Sequence, residues 1–156
     1  MKQSRRTLLK ASSGATVIAL ATASGVFKAG NVYALEWNKA AFDTKGLQET
    51  VKAMGGTAAT ESKDINITSP DIAENGAVVP VSVSSKLGNT ESISILVEKN
   101  PNALSAAFEI PSGTEPFVST RVKMGQTSNV YALVKADGKY FYAAKEIKVT
   151  LGGCGG

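Results

Sequence analysis

A mainly β fold, an Ig-like β-sandwich of about seven strands preceded by a short N-terminal helical segment, is predicted by three observations. Beyond residue 60, apolar residues recur with a period of two. The alternating runs are short and bounded by turn-forming residues. The one stretch with helical spacing lies ahead of them, between Trp37 and Met54.

That stretch reads as helix in one or two pieces. Leu47, Val51 and Met54 fall on one helical face. Asp43 and Thr44 offer a cap before it, and Gly55-Gly56 a stop after it. The strands follow in order. Ile65 and Ile67 mark the first, and Val79, Val81 and Val83 the second. Pro80 inside the second argues for an edge strand or a bulge, because it has no N–H for the ladder. Ile93, Ile95 and Val97 come next, then Leu104, Ala106, Phe108 and Ile110. Val118, Thr120, Val122 and Met124 precede Val130, Ala132, Val134 and Ala136. The last run, Lys139 to Leu151, places Ile147, Val149 and Leu151 on one face. The separators are Asn75-Gly76, Gly88-Asn89, Asn100-Pro101-Asn102, Pro111-Ser112-Gly113, Met124-Gly125 and Asp137-Gly138. Asp137-Gly138 between two such runs is a strong hairpin signal.

Residues 1–34 do not read as part of the fold. Lys2, Arg5, Arg6 and Lys10 carry the positive charge of an n-region, Ala11 to Val26 is uncharged, and Val32-Tyr33-Ala34 has small residues where a signal peptidase reads. Cleavage after Ala34 is expected. Ser4-Arg5-Arg6-Thr7-Leu8-Leu9-Lys10 resembles a twin-arginine export signal, with Leu8 where Phe is commoner. The segment is too short and too mildly apolar for a good transmembrane span, which needs roughly 20 apolar residues. Periplasmic localisation by the twin-arginine route is the expectation, with no membrane span in the mature form.

The signal also accounts for the basic charge. It holds five of the 17 basic residues and none of the 13 acidic ones, so residues 35–156 carry a net charge of −1. Nothing in that balance favours nucleic-acid binding. The chain has no His, which excludes a Ser–His or Cys–His nucleophile pair and any His metal site. With one Cys, no internal disulfide can form. No metal, no cofactor and no catalytic residue is expected, although carboxylate or Lys chemistry stays open.

The remaining chemistry lies at the C-terminus. After Leu151 the chain reads Gly152-Gly153-Cys154-Gly155-Gly156. Glycine is costly to order and leaves a thin backbone, so residues 152–156 are expected to form a mobile arm. At ~3.3–3.6 Å per residue, five residues reach at most about 17 Å. No neighbouring side chain activates the thiol, whose ordinary pKa is about 8.5, so a partner must supply the base or the positive field. That is the logic of a covalent carrier. An incidental exposed thiol would risk dimerisation and over-oxidation.

The chain also resembles the SoxY family, the sulfur-carrying subunits of the SoxYZ complex in bacterial thiosulfate oxidation. The resemblance runs from the export signal to the last residue. It rests on Ile72-Ala73-Glu74-Asn75-Gly76-Ala77-Val78-Val79-Pro80-Val81, Val97-Glu98-Lys99-Asn100-Pro101-Asn102, Val118-Ser119-Thr120-Arg121-Val122-Lys123-Met124, and Lys145-Glu146-Ile147-Lys148-Val149-Thr150-Leu151 with the terminal Gly-Gly-Cys-Gly-Gly. The terminal motif is the specific one. The resemblance implies an Ig-like domain over residues 35–151 that pairs with SoxZ and is exported with it. It implies that Cys154 is conjugated to thiosulfate by a haem-containing enzyme, and that a hydrolase then releases sulfate. It also implies that the chain is a carrier and not itself an enzyme.

Two other readings compete. A ubiquitin-like sulfur carrier also ends in Gly-Gly, but its ATP-dependent activation does not suit an exported chain, and the strand count is too high. A structural or adhesion Ig-like module joined to another chain through a Cys154 disulfide is the alternative from a different class.

Overall fold

The computed structural model describes residues 38–151. The expected helical segment is two short helices, α1 (Lys39–Phe42) and α2 (Leu47–Ala53), followed by nine strands. Asn38 caps α1, its side chain accepting from the Ala41 N–H. The expected cap of α2 is not the one used. Gly46 stands at the N-cap without a side-chain bond, and Asp43 closes α1 instead. Thr44 turns inward, where its hydroxyl meets those of Thr50 and the Ala41 carbonyl. The Glu49 carboxylate accepts from the Lys45 N–H and takes over the capping role.

The expected stop does hold. Gly55 has φ +86°, and its N–H bonds to the Lys52 carbonyl while Gly56 N–H bonds to that of Val51. Those two bonds are a Schellman motif, which needs the left-handed conformation that glycine adopts freely. Gly56 is also required for space, because a Cβ there would sit 2.6 Å from the Tyr140 ring. The Tyr140 hydroxyl in turn donates to the Met54 carbonyl at 2.8 Å, pinning the helix end to the sheet.

The strands are β1 (Ala59–Glu61), β2 (Ile65–Thr68), β3 (Ile72–Ala73), β4 (Val79–Ser85), β5 (Thr90–Val97), β6 (Leu104–Glu109), β7 (Phe117–Val122), β8 (Ser128–Ala136) and β9 (Lys139–Val149). All seven expected runs are strands. The two extra ones, β1 and β3, are three and two residues long. They are too short to show a period, and both pair parallel with β9. The larger sheet has the order β1-β9-β8-β5-β6, with β3 also on β9, and the smaller has the order β2-β4-β7. Together they form the Ig-like sandwich.

Alternation along the strands builds two cores. Val79, Val81 and Val83 of the small sheet meet Ile93, Ile95, Val97, Val130, Val134 and Ile147 of the large one. The opposite face of the large sheet is covered by the helices, where Val51 packs with Leu96, Leu133 and Tyr140. Each fully buried Val, Leu or Ile contributes roughly 1.5–3 kcal/mol relative to exposure. The strict alternation expected in β6 fails at one point. A register shift places Ile95 opposite Ala106 but Leu96 opposite Leu104. The bulge turns Leu104 to the helical core while Phe108 packs on the sandwich core.

Two further expectations are corrected. β4 is the central strand of its sheet rather than an edge, and no bulge occurs at Pro80. Its pairing with β2 ends at Ser82, so Pro80 is paired on one side only, with Arg121 of β7. A missing N–H is tolerated where the strand has no second neighbour. Leu151 does not continue the inward face of Ile147 and Val149. β9 ends at Val149, and Leu151 is 70 % exposed.

Candidate functional site

The residues singled out for chemistry and export lie outside the described residues. They are Cys154 with Gly152, Gly153, Gly155 and Gly156, and Arg5, Arg6 and Ala34 of the expected export signal. What the structure describes is the platform that ends at Leu151, just before these last residues.

β9 runs eleven residues from the tight Asp137-Gly138 turn to Val149, about 35 Å along the strand at ~3.3 Å per residue. Its last residues are held from two sides. On one side, the Lys148 N–H donates to the Asp71 carbonyl (2.9 Å) and the Thr150 N–H to that of Ala73 (3.1 Å). The Gly76 N–H then donates to the Leu151 carbonyl (2.8 Å). The Thr150 hydroxyl adds a bond to the Glu74 carbonyl (3.2 Å). On the other side, the Val149 N–H donates to the Thr127 hydroxyl oxygen (2.9 Å). The Met124 N–H donates to the Gly76 carbonyl (2.7 Å), closing the two sides on each other. The root is therefore fixed up to Leu151, three residues before Cys154.

The edge of β9 between β1 and β3 is closed by charge. Lys145 Nζ donates to the Ser69 carbonyl (2.7 Å) and pairs with Asp71 at 3.0 Å. Sequence reasoning missed this bracing. Its signal was present in the turn formers Asn75-Gly76, Asn100-Pro101-Asn102 and Met124-Gly125, which meet at this end of the sandwich. Parts of the four stretches that carry the family resemblance, around Gly76, Asn100, Met124 and Thr150, also meet here.

Elsewhere the surface offers little chemistry. A groove of about 500 Å³ runs past Leu87, Glu91, Glu109 and Pro116, and one of about 420 Å³ past Gly55, Thr57, Lys139 and Tyr140. Both lie at the hairpin end, the far end of β9 from the arm. Among the described residues no set of three or more Cys, Asp or Glu gathers to hold a cation. No described helix is long and apolar enough to cross a membrane.

Residues 51–154 match the family described as SoxY, sulfur oxidation protein SoxY. The match includes Cys154. Among solved structures, the sulfur carrier protein SoxY from Chlorobium limicola f. thiosulfatophilum is 38% identical, with a TM-score of 0.59 over 65% of this chain and 92% of that one. A superoxide reductase (neelaredoxin) variant from Ignicoccus hospitalis is 22% identical, with a TM-score of 0.48 over 59% of this chain and 82% of that one, and that likeness bears on nothing further. None of the curated protein sequences matches significantly.

Proposed function

The chain belongs to the SoxY family of sulfur oxidation proteins, and from that premise we propose that it is a periplasmic sulfur carrier whose covalent attachment point is Cys154. The observation that carries this reading is the family match running through the only cysteine of the chain, three residues beyond Leu151, the last braced residue after β9. Residues 152–156 act as the carrier arm, and residues 1–34 direct export by the twin-arginine route through Arg5 and Arg6.

The chemistry is done to the arm by partners. In the first step the Cys154 thiol and thiosulfate give the S-thiosulfonate, R–SH + S₂O₃²⁻ → R–S–S–SO₃⁻ + H⁺ + 2e⁻, the electrons leaving to a haem-containing enzyme. Water then cleaves the S–SO₃ bond under a hydrolase, R–S–S–SO₃⁻ + H₂O → R–S–SH + HSO₄⁻, leaving the persulfide. The chain's own contribution is a soft nucleophile on a narrow backbone, held at a fixed root. SoxZ is the proposed pairing partner.

Intact mass of the protein from thiosulfate-grown cells tests the attachment. Adducts removable by reductant and absent from Cys154→Ser are expected. The Ser variant folds and pairs with SoxZ as the parent does, but supports no thiosulfate oxidation. Turnover retained by that variant overturns the proposal. A stable Cys154-linked dimer as the isolated form favours the structural module instead.

A further inference from the structure

Asn100 takes no part in the chemistry above, yet its side chain works in two directions. Its Nδ2 donates to the Lys123 carbonyl at 2.7 Å, and its Oδ1 accepts from the Gly125 N–H at 3.2 Å. A carboxamide supplies the donor and the acceptor together, which neither an ionised carboxylate nor an ammonium can. Its own N–H is spent on the Val97 carbonyl at the end of β5 (3.2 Å). The side chain thus staples the turn Lys123–Gly125 to the rigid large sheet.

Between the two stapled residues lies Met124, whose side chain is fully buried in the sandwich core. Its N–H reaches the Gly76 carbonyl, and the Gly76 N–H reaches the Leu151 carbonyl. Gly76 is a relay with both backbone groups used. The path from Asn100 to the arm root is therefore continuous: side-chain staple, buried anchor, relay glycine, Leu151.

We propose that Asn100 is a positioning residue for the carrier arm, fixing through Met124 and Gly76 the point at Leu151 from which residues 152–156 depart. This rests on the carrier reading of Cys154. With the root held at Leu151, the tether to Cys154 is three residues, a reach of about 10 Å at ~3.3–3.6 Å each. If the root peels back to Val149 the tether becomes five residues and the reach about 17 Å. For a partner site matched to the short tether, effective concentration falls roughly as the −3/2 power of length, about twofold.

The test uses the full-length protein and two measurements that need no sulfur chemistry. In Asn100→Ala, amide hydrogen exchange at Gly76, Met124 and Gly125 accelerates at least tenfold, while Ile95 and Val134 in the middle of the large sheet stay within twofold of the parent. Asn100→Asp retains the acceptor for Gly125 and loses the donor to Lys123, so it falls between, and it serves alone if the Ala variant does not fold. In the second measurement, a spin label on Cys154 is paired with one on Lys86→Cys. The distance distribution widens in the Asn100 variants. Unchanged exchange at Gly76 overturns the proposal. So does equal acceleration of Ile95 and Val134, which makes Asn100 a contributor to overall stability only. So does a loosened Gly76 with an unaltered Cys154 distance distribution. Sulfur turnover by Cys154→Ser would instead remove the carrier reading and leave these results standing.

Discussion

At the hairpin end, Asp137 and Gly138 turn β8 into β9 with φ of +49° and +71°, the two left-handed positions of a type I′ turn. Side chains brace it: Asn89 Nδ2 donates to Asp137 Oδ1 (2.8 Å), Glu91 Oε1 accepts from the Gly138 N–H (2.7 Å), and Glu91 pairs with Lys135 (2.7 Å). The arm end, as far as Leu151, is built differently. It is held mainly by backbone bonds between segments far apart in sequence, with Gly76 reaching Leu151 and Met124 reaching Gly76. The hairpin turn itself can be rebuilt from local rules, although its side-chain braces, Asn89 and Glu91, come from 48 and 47 residues away. The arm end exists only when three loops are already in place. A fixed root at Leu151 suits the proposed carrier role, in which other proteins would do the chemistry.

Changing the glycines at each end breaks this comparison most directly. Replacing both Gly152 and Gly153 with Val adds branched bulk to the proposed arm. Processing by partner enzymes is expected to fall at least tenfold. The melting temperature is expected to hold, since such changes outside the packed core usually stay within about 0.5 kcal/mol. Cys154 keeps its normal rate with a small thiol reagent. Partner turnover equal to the parent's would mean that the glycines have no role in presentation.

Met124→Ala asks how far the arm end depends on the common core. The side chain is fully buried, and such truncations cost about 2–5 kcal/mol. Denaturant unfolding should show that loss with an unchanged m-value. A cost below about 1 kcal/mol would mean that the Lys123–Gly125 turn is anchored by its hydrogen bonds alone.

The hairpin end should feel a turn substitution about half as strongly. Gly138→Val forces a β-branched residue to a φ of +71° where a Cβ meets no atom within 4 Å, so backbone strain of roughly 1–3 kcal/mol is the main expected effect. Carrier turnover at a temperature below the transition should match the parent, because the turn is one strand length from the arm. A turnover defect at that temperature would show that the two ends communicate.

The same contrast explains what the sequence discloses. Period-two alternation is a property of one strand meeting one core, and it identified β2, β4, β5, β6, β7, β8 and β9. Asp137-Gly138 and Gly55-Gly56 were legible because their conformations are set by the residues themselves. β1 and β3 were not, because three and two residues show no period and pair only when β9 presents its edge. The parity change in β6 was hidden for a related reason. It depends on the Ile95/Leu96 shift, a relation between strands. Pro80 suggested an edge because local sequence cannot tell that the pairing of β4 with β2 ends at Ser82. At the candidate site, Cys154 and its glycines stand out by composition, whereas the braces on Thr150 and Leu151 use backbone groups that every residue has.

The smallest expected effect concerns charge at the hairpin end. Lys135, and next the Gly138 N–H, hold the Glu91 carboxyl below its ordinary value of 4.5, and Glu91 in turn raises Lys135 above 10.5. A carboxylate whose folded pKa is depressed contributes stability that is present above its unfolded value and is lost as pH falls through the folded one. The raised lysine contributes below its unfolded value and loses that contribution as pH rises through its folded value. The pair should therefore stabilise the domain across the neutral range and fade toward both extremes. Glu91→Gln keeps an oxygen for the Gly138 N–H but removes the charge. Its melting temperature should lie slightly below the parent's at pH 7, and the gap should close as pH falls below 4.5 and the parent's carboxyl protonates. Both side chains are more than a third exposed or nearly so, at 40% and 35%, so added salt should shrink the gap at pH 7 as well. The arm end supplies the control. There the braces are chiefly neutral backbone bonds, and Asn100→Ala should give a melting-temperature gap that varies little with either pH or salt over the same range. A Glu91→Gln gap that stays constant down to pH 3 would assign the contribution of Glu91 to shape and neutral hydrogen bonding, and would leave both ends of the sandwich held by the same kind of force.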